Sequence, residues 1–121
     1  MTTLMTIEGL LMKNNVIRVL TTLFAIILTA KLGTVNYAGH KETWYNLRMN
    51  KVVERADAYY GLQDVYKVRE DGVKTYNNFV IVATDWSVYP FGSLVETSLG
   101  TGIVLDHHTT DKNVIDVATA W

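Results

Sequence analysis

Three kinds of hydrophobic pattern follow one another along the chain. An uncharged apolar stretch over residues 19–30 comes first, a segment with helical spacing follows residue 50, and short apolar runs separated by turn residues fill the rest. Apolar side chains spaced three and four apart over residues 51–60 predict one amphipathic helix. Asn50 is a suitable N-cap for this helix, and Gly61 is a suitable stop.

The sequence after Gly61 predicts short strands. Asp71-Gly72 is typical of a tight hairpin turn, and Asn77-Asn78 indicates the next turn. The run over 79–84 is continuously apolar and rich in β-branched residues, which predicts a buried central strand. The strands are predicted at residues 65–69, 73–76, 79–84, 94–97, 103–105 and 114–118. About six strands and one helix favour a mainly β fold, closed into a small barrel because closure removes exposed strand edges.

The amino-terminal part has the charge pattern of a targeting signal. Lys13 and Arg18 form a positive flank before the uncharged residues 19–30, as in a secretory signal. A helix over that stretch would span only about 18 Å of a hydrocarbon core of roughly 30 Å. We therefore expect a hydrophobic helix that serves as a signal or anchor, with membrane contact confined to residues 16–33.

These features divide the chain into a leader at residues 1–39 and one domain at residues 40–121, and they predict a secreted or membrane-anchored protein. Cleavage of the leader stays open, because the sequence before Gly39 is a poor cleavage site. The true start is open between Met1 and Met12. The alternative is that the apolar stretch is a helix buried in a protein core.

The composition fits a single domain of nearly neutral charge. A chain of 121 residues leaves room for one domain. Its 11 basic and 12 acidic residues argue against non-specific nucleic-acid binding, which needs a basic surface. The absence of cysteine excludes disulfides, thiolate metal sites and a cysteine nucleophile. The sequence predicts no cofactor.

Three aspartates lie at apolar strands. Asp85 and Asp106 each follow a predicted strand, and Asp116 lies within the last one. A carboxylate beside an apolar run loses hydration unless it is paired or hydrogen-bonded. If the strand ends converge, mutual repulsion raises the pKa of at least one carboxyl and leaves a proton for acid catalysis. Strand-end aspartates are also common turn residues, so pattern alone makes these three only candidate catalytic groups.

Four segments together resemble a known family. They are VIVATD at 80–85, YPFGSLV at 89–95, GIVLD at 102–106 and IDVA at 115–118. In order and in aspartate spacing they resemble the three-aspartate domain, a double-psi β-barrel found in MltA-like lytic transglycosylases and in cell-wall proteins of Gram-positive bacteria. The resemblance covers about residues 78–121, with a looser lead-in over 43–61.

The resemblance implies a site that acts on peptidoglycan glycan strands. In the lytic members one aspartate protonates the glycosidic oxygen between N-acetylmuramic acid and N-acetylglucosamine, then deprotonates the muramoyl 6-hydroxyl. Carried over by position, Asp116 is the first choice for this acid and base, and Asp106 the second. Asp85 and Asp106 would tune the proton affinity of the acid or hold the sugar. Lys112 falls near the family's loop lysine, where it would bind a carbonyl or hydroxyl group of the substrate.

The chain departs from the family pattern after Asp106. Members of the family usually have paired glycines there, which let the backbone approach substrate closely, whereas this chain has His107-His108. The alternative function is therefore a non-catalytic module that binds cell-wall glycan or another partner through a degenerate site.

Two further groups of side chains have a functional interpretation. Trp86 and Tyr89 follow Asp85 in one loop and are predicted to stack on sugar rings, although core packing is the commoner role of aromatic residues. The adjacent histidines at 107–108 lie beside Asp106, which raises the alternative of a metal site, against a solvated polar loop. Adjacent strand residues point to opposite faces, so no metal is predicted.

Overall fold

The structure is a computed structural model that describes residues 34–108 and 111–121. The predicted leader, up to residue 33, and the two candidate starts lie outside the described residues. Within the described part of the chain, no helix is long and apolar enough to cross a membrane. The secondary-structure elements in chain order are β1 Val35–Tyr37, β2 His40–Tyr45, α1 Asn50–Tyr60, β3 Tyr66–Val68, β4 Lys74–Tyr76, β5 Phe79–Thr84, β6 Leu94–Thr97, β7 Gly100–His107 and β8 Val114–Ala118.

Helix α1 forms where the apolar spacing predicts it. Val52 and Ala56, four residues apart, are buried and turn one face of the helix toward the sheet. Gly61 ends the helix in the left-handed conformation, with φ of 67°, as predicted. The predicted N-cap is wrong: Asn50 is the first helical residue, and Met49 holds the cap position without a side-chain hydrogen bond.

The predicted turns are confirmed. Strands β3 and β4 pair antiparallel around the turn at residues 69–73, where Gly72 has a φ of 85°. Asn77 and Asn78 both adopt positive φ, at 49° and 69°, and join β4 to β5 in a second antiparallel pair. Asparagine tolerates this region better than most residues do, because its short side chain bonds locally to the backbone.

Strand β5 lies at the centre of one branched sheet. One edge of β5 pairs with β7 in parallel. On the other edge, its first residues pair with β4 and residues 82–83 pair with β8, both antiparallel. The outer strands then add to these neighbours: β3 to β4, β6 to β7, and β2 to β8 in parallel, with β1 beyond β2.

The fold is mainly β, as predicted, but the predicted closure of the sheet into a barrel is wrong. Among the described residues the sheet contains eight strands and does not close on itself. The sequence analysis missed β1 and β2, because His40–Tyr45 mixes charged, polar and aromatic side chains without an apolar run. The strand predicted at residues 103–105 is longer than expected, because β7 spans Gly100–His107.

Both faces of the central strands are buried, which explains their continuous apolar runs. On β5, Val80 and Val82 belong to one core cluster, while Ile81 between them belongs to the other. Helix α1 packs on the second face, which is called the helix face below. The helix-face core contains Met49, Val52, Ala56, Tyr76, Ile81, Ile103, Leu105 and Ala118.

A buried carboxylate fastens β2 to the turn between β6 and β7. Glu42 is fully buried, and its carboxylate accepts hydrogen bonds from the Ser98 hydroxyl and from the Ser98 backbone N–H at 3.0 Å. His40 Nε2 lies 3.8 Å from the same carboxylate. These bonds join two segments that are far apart in sequence, so Glu42 stabilises the contact of β2 with the turn between β6 and β7.

We expect Glu42→Ala to lower the free energy of unfolding by about 1–3 kcal/mol, because it leaves the Ser98 N–H without an acceptor. The measurement is urea unfolding of the full chain. Glu54→Ala is the matched control, since Glu54 is exposed on α1, and its change should stay within about 0.5 kcal/mol. Equal stability of the two variants would contradict a structural role for the buried carboxylate.

Candidate active site

A bulge in β7 sets the position of Asp106. Val82 on β5 pairs with Val104, but the next residue, Ala83, pairs with Asp106. Leu105 is therefore the extra residue of a β-bulge, a feature that re-aims side chains beside functional sites. Without the bulge, Leu105 would stand opposite Ala83 instead of the aspartate.

Ala83 has an aspartate on each side. Asp116 on β8 pairs with Ala83 from the other edge of β5. Neighbouring strands lie about 4.8 Å apart, so the two aspartate Cα atoms are separated by about 10 Å across Ala83. Directly opposed residues share a face, and the side chain between the two carboxyl groups is only a methyl group. The structure thus brings Asp106 and Asp116 together on the helix face.

Strand β2 supplies a hydroxyl to each carboxyl group. Thr43, the register partner of Asp116, donates from Oγ1 to Asp116 Oδ1 at 2.8 Å. Tyr45 donates from its hydroxyl to Asp106 Oδ2 at 2.9 Å. Thr43 and Tyr45 are two residues apart on one strand, so they point to the same face. The backbone N–H of His107 donates to the other Asp106 oxygen at 2.9 Å.

The surroundings of Asp116 favour its protonated form. Burial raises the pKa of this carboxyl, and the charge of Asp106 raises it further, while the Thr43 hydrogen bond and His108 oppose the shift without reversing it. Burial, with the charges of Asp106 and Asp116, also raises the pKa of the Tyr45 hydroxyl, which keeps that group a donor. The pKa of the Asp116 carboxyl therefore lies above the ordinary value for aspartate.

Asp85 stands apart from this pair. Its carboxylate accepts bonds from the Ser87 hydroxyl at 2.6 Å and the Ser87 N–H at 2.8 Å, which closes a tight turn after β5. Those hydrogen bonds lower the pKa of Asp85, and the charges of Lys112 and His107 add to the effect. Asp85 is thus held ionised in a turn. Lys112 is exposed and lies close enough for its charge to lower the pKa of Asp85.

The loop aromatics occupy different positions. Trp86 donates from Nε1 to the backbone carbonyl of Asp106 at 2.8 Å, and its ring lies edge-on to the His107 ring at 5.0 Å between centroids. Trp86 and Tyr89 both pack against the core on the face opposite helix α1. The Tyr89 backbone carbonyl accepts a bond from the Thr84 hydroxyl at 2.7 Å. Trp86 therefore contacts the backbone of Asp106, whereas Tyr89 chiefly supports the loop.

The two adjacent histidines differ in position, because His107 is the last residue of β7 and His108 follows the strand. His108 Nε2 lies 3.1 Å from the Val114 carbonyl oxygen, and its backbone N–H donates to the Thr84 carbonyl at 2.9 Å. His107 faces Trp86 instead. Within residues 34–108 and 111–121, no group of three or more His, Asp or Glu side chains is arranged to hold a metal ion.

Sequence reasoning missed three residues that shape the site. Thr43 and Tyr45 hold the two carboxyl groups, and the only available signal was their alternate spacing before a predicted helix. Arg55 is a charged residue of an amphipathic helix, and it donates to the Leu105 carbonyl at 3.2 Å. Its guanidinium also lies 5.6 Å from the centre of the Trp86 ring, within range of a cation–π contact.

No protein-family model matches the chain, and the searches of curated proteins and of solved structures also return no match. The class that fold and site define is a mainly β domain with a partly buried, hydrogen-bonded pair of aspartates. The resemblance to three-aspartate domains stays a prediction.

The raised pKa of Asp116 predicts a specific dependence of stability on pH. A folded-state pKa above the ordinary value of 3.8 gives a stabilising contribution at low pH that is lost as pH rises through the folded-state value. Asp116→Asn stays neutral and keeps an acceptor for Thr43. We expect its free energy of unfolding to exceed that of the unsubstituted chain near neutral pH, with the advantage disappearing in acid.

The measurement is urea unfolding of both proteins between about pH 3 and pH 8. Asp85→Asn is the matched control, because the pKa of Asp85 is lowered in the folded protein. Ionised Asp85 therefore stabilises the fold at pH values above the ordinary aspartate pKa, and this contribution is lost as the pH falls. The stability of Asp85→Asn should therefore change in the opposite direction near neutral pH. A difference between Asp116→Asn and the unsubstituted chain that stays constant across this range would contradict a raised pKa of the Asp116 carboxyl.

Proposed function

We propose that this chain is a peptidoglycan-active protein that cleaves the bond between N-acetylmuramic acid and N-acetylglucosamine by lytic transglycosylation. The observation that carries the proposal is the pair of aspartates that flank Ala83, one partly buried with a raised pKa and one held by a tyrosine hydroxyl. Two carboxyl groups in unlike environments are the usual requirement of glycosidic-bond cleavage.

Asp116 is the general acid in this proposal. Its carboxyl donates a proton to the glycosidic oxygen, and the bond from that oxygen to the muramoyl C1 breaks. The resulting carboxylate then accepts the proton of the muramoyl 6-hydroxyl, whose oxygen bonds to C1 and closes a 1,6-anhydro ring. No water enters the product. The raised pKa supports this role, because a catalytic acid must be protonated near the working pH.

Asp106 supplies negative charge beside the reacting carbon. Cleavage develops positive charge on the sugar ring, and a carboxylate fixed by the Tyr45 hydroxyl and the His107 N–H is positioned to stabilise it. Asp85 and Lys112 lie at the edge of this site, where their proposed role is to hold substrate. Trp86 is proposed to stack on a sugar ring.

The proposal includes kinship with three-aspartate domains and an extracytoplasmic location. The pairing of β5 with β7 on one edge and with β8 on the other supports the kinship, since it brings Asp106 and Asp116 of separate strands to one place. The charge pattern of residues 13–30 supports secretion or membrane anchoring.

The direct test is incubation of the full chain with purified peptidoglycan and detection of anhydromuropeptides by mass spectrometry. We expect product from the unsubstituted chain and a loss of about 10²–10⁴-fold in Asp116→Asn, the range that general acid catalysis supplies. Asp64→Asn is the matched control: Asp64 is exposed and has a φ of 58°, which asparagine also adopts. Product formation that survives Asp116→Asn would refute the assignment of the acid.

A second candidate function is binding of wall glycan without cleavage. The hydroxyls of Thr43 and Tyr45 already satisfy one oxygen of each carboxyl group, as in a purely structural pair, and the segment after Asp106 lacks the family's paired glycines. Sedimentation of the full chain with insoluble peptidoglycan, in the absence of anhydromuropeptides, would favour this function over the lytic one.

A further inference from the structure

Several partly exposed aromatic side chains form a continuous row on the surface beside the aspartate pair. The row begins with Tyr59 and Tyr60 at the end of α1, continues through Phe91 and Trp86 of the loop between β5 and β6, and ends at His107. The ring centroids of Tyr59 and Phe91 are 5.1 Å apart, and those of Phe91 and Trp86 are 5.7 Å apart. These five residues are called the aromatic row below.

The aromatic row contains much exposed apolar surface. The exposed fraction of Tyr59 is 70% and that of Tyr60 is 36%, although both belong to a helix whose other face is buried. Phe91 is partly buried against the helix-face core and anchors the row. Contiguous exposed apolar surface on a small domain marks a binding site more often than chance exposure does.

The local structure is built to hold the rings in place. A Cβ atom at residue 92 would lie 2.8 Å from the Tyr60 hydroxyl oxygen, and Gly92 has a φ of 85°, so only glycine lets the Tyr60 ring lie against the loop. Tyr60 and Phe91 are nearly parallel, with 20° between ring planes. Arg55 covers Trp86 at 5.6 Å and fixes the next ring of the row.

The row is continuous with the candidate active site. Trp86 Nε1 donates to the carbonyl oxygen of Asp106 at 2.8 Å, so its ring is fixed to the residue that carries one of the two carboxyl groups. His107 follows Asp106 directly and contacts Trp86 at 5.0 Å between ring centroids. A chain-like ligand that lies along the row therefore reaches Asp106 at one end.

The charges at that end select the chemical class of the ligand. Asp85 precedes Trp86 in sequence and is held ionised, and Asp106 lies against Trp86. Arg55 over the Trp86 ring and Lys112 near Asp85 balance these carboxylates, so this end has no excess of positive charge that would attract a polymer of phosphates. A glycan presents uncharged C–H faces to aromatic rings and hydroxyl groups to the tyrosine oxygens, and its binding needs no such excess of positive charge.

From this arrangement we infer that the aromatic row is the binding surface for several successive sugar rings of a glycan strand, and that it delivers the strand to the aspartate pair. The inference rests on the proposed function, since it takes the glycan as the ligand of that site. It assigns binding to Tyr59, Tyr60 and Phe91, none of which belongs to the proposed catalytic machinery.

The test measures binding of a β-1,4-linked N-acetylglucosamine tetramer to the full chain by isothermal titration calorimetry. Asp116→Asn serves as the background, so that no turnover occurs. We expect Tyr59→Ala in this background to raise the dissociation constant about fivefold, the loss of one stacking partner. Tyr59→Phe keeps the ring and should bind as tightly as the background protein.

Tyr37→Ala is the matched control, because Tyr37 is also an exposed tyrosine, at 41%, but lies on β1 outside the row. It should leave the dissociation constant unchanged. Binding of the tetramer that is equally tight in Tyr59→Ala, or no binding of the tetramer at all, overturns the inference. So does binding of a thymidine oligonucleotide, or self-association in sedimentation, that requires Tyr59 while the tetramer does not bind.

The outcome separates this inference from the proposed function. Anhydromuropeptides formed at an unchanged KM by Tyr59→Ala, in the catalytically intact chain, would leave the lytic function standing and remove the aromatic row from it. Tetramer binding that requires Tyr59, without any anhydromuropeptide from the intact chain, would keep the row as a glycan surface and remove the lytic function.

Discussion

The pairing of β5 on both of its edges is the constraint on which the rest of the structure depends. Three strands bond to β5, so its backbone is satisfied only when all three are in place, and its side chains face a core on each side. The bulge at Leu105 then shifts β7 by one residue relative to β5. That shift, together with the register of β8, sets both aspartates opposite Ala83.

The same arrangement works against stability at one point. A carboxyl group in the partly buried position of Asp116 is disfavoured when ionised, because burial removes its hydration. The Thr43 hydroxyl offsets only part of this cost. A position that destabilises the charged form of a group is unfavourable for folding at neutral pH, but it is what an acid catalyst requires. Residues whose environment lowers the stability of the fold are expected at functional or strained sites.

Arg55 joins the helix to this region through two contacts. It donates to the Leu105 carbonyl at the bulge and lies over the Trp86 ring. The bulged backbone, the loop after β5 and helix α1 therefore meet at one side chain. A solvated arginine on an amphipathic helix and an arginine that joins three elements have the same appearance in sequence, because helical spacing does not indicate which neighbour the exposed face will contact.

The sequence by itself determined the local elements of this protein. Apolar spacing predicted α1, the β-branched run predicted β5, and the asparagine and glycine residues predicted the turns between strands. Each of these elements depends on neighbouring residues alone. Pattern also marked Asp106 and Asp116 as candidates. Only the tertiary structure decided that these two converge while Asp85 remains in a turn, that β2 supplies a hydroxyl to each, and that the sheet stays open among the described residues. Register, a bulge and pairing between distant strands are set by contacts across the whole domain, and no local pattern encodes them.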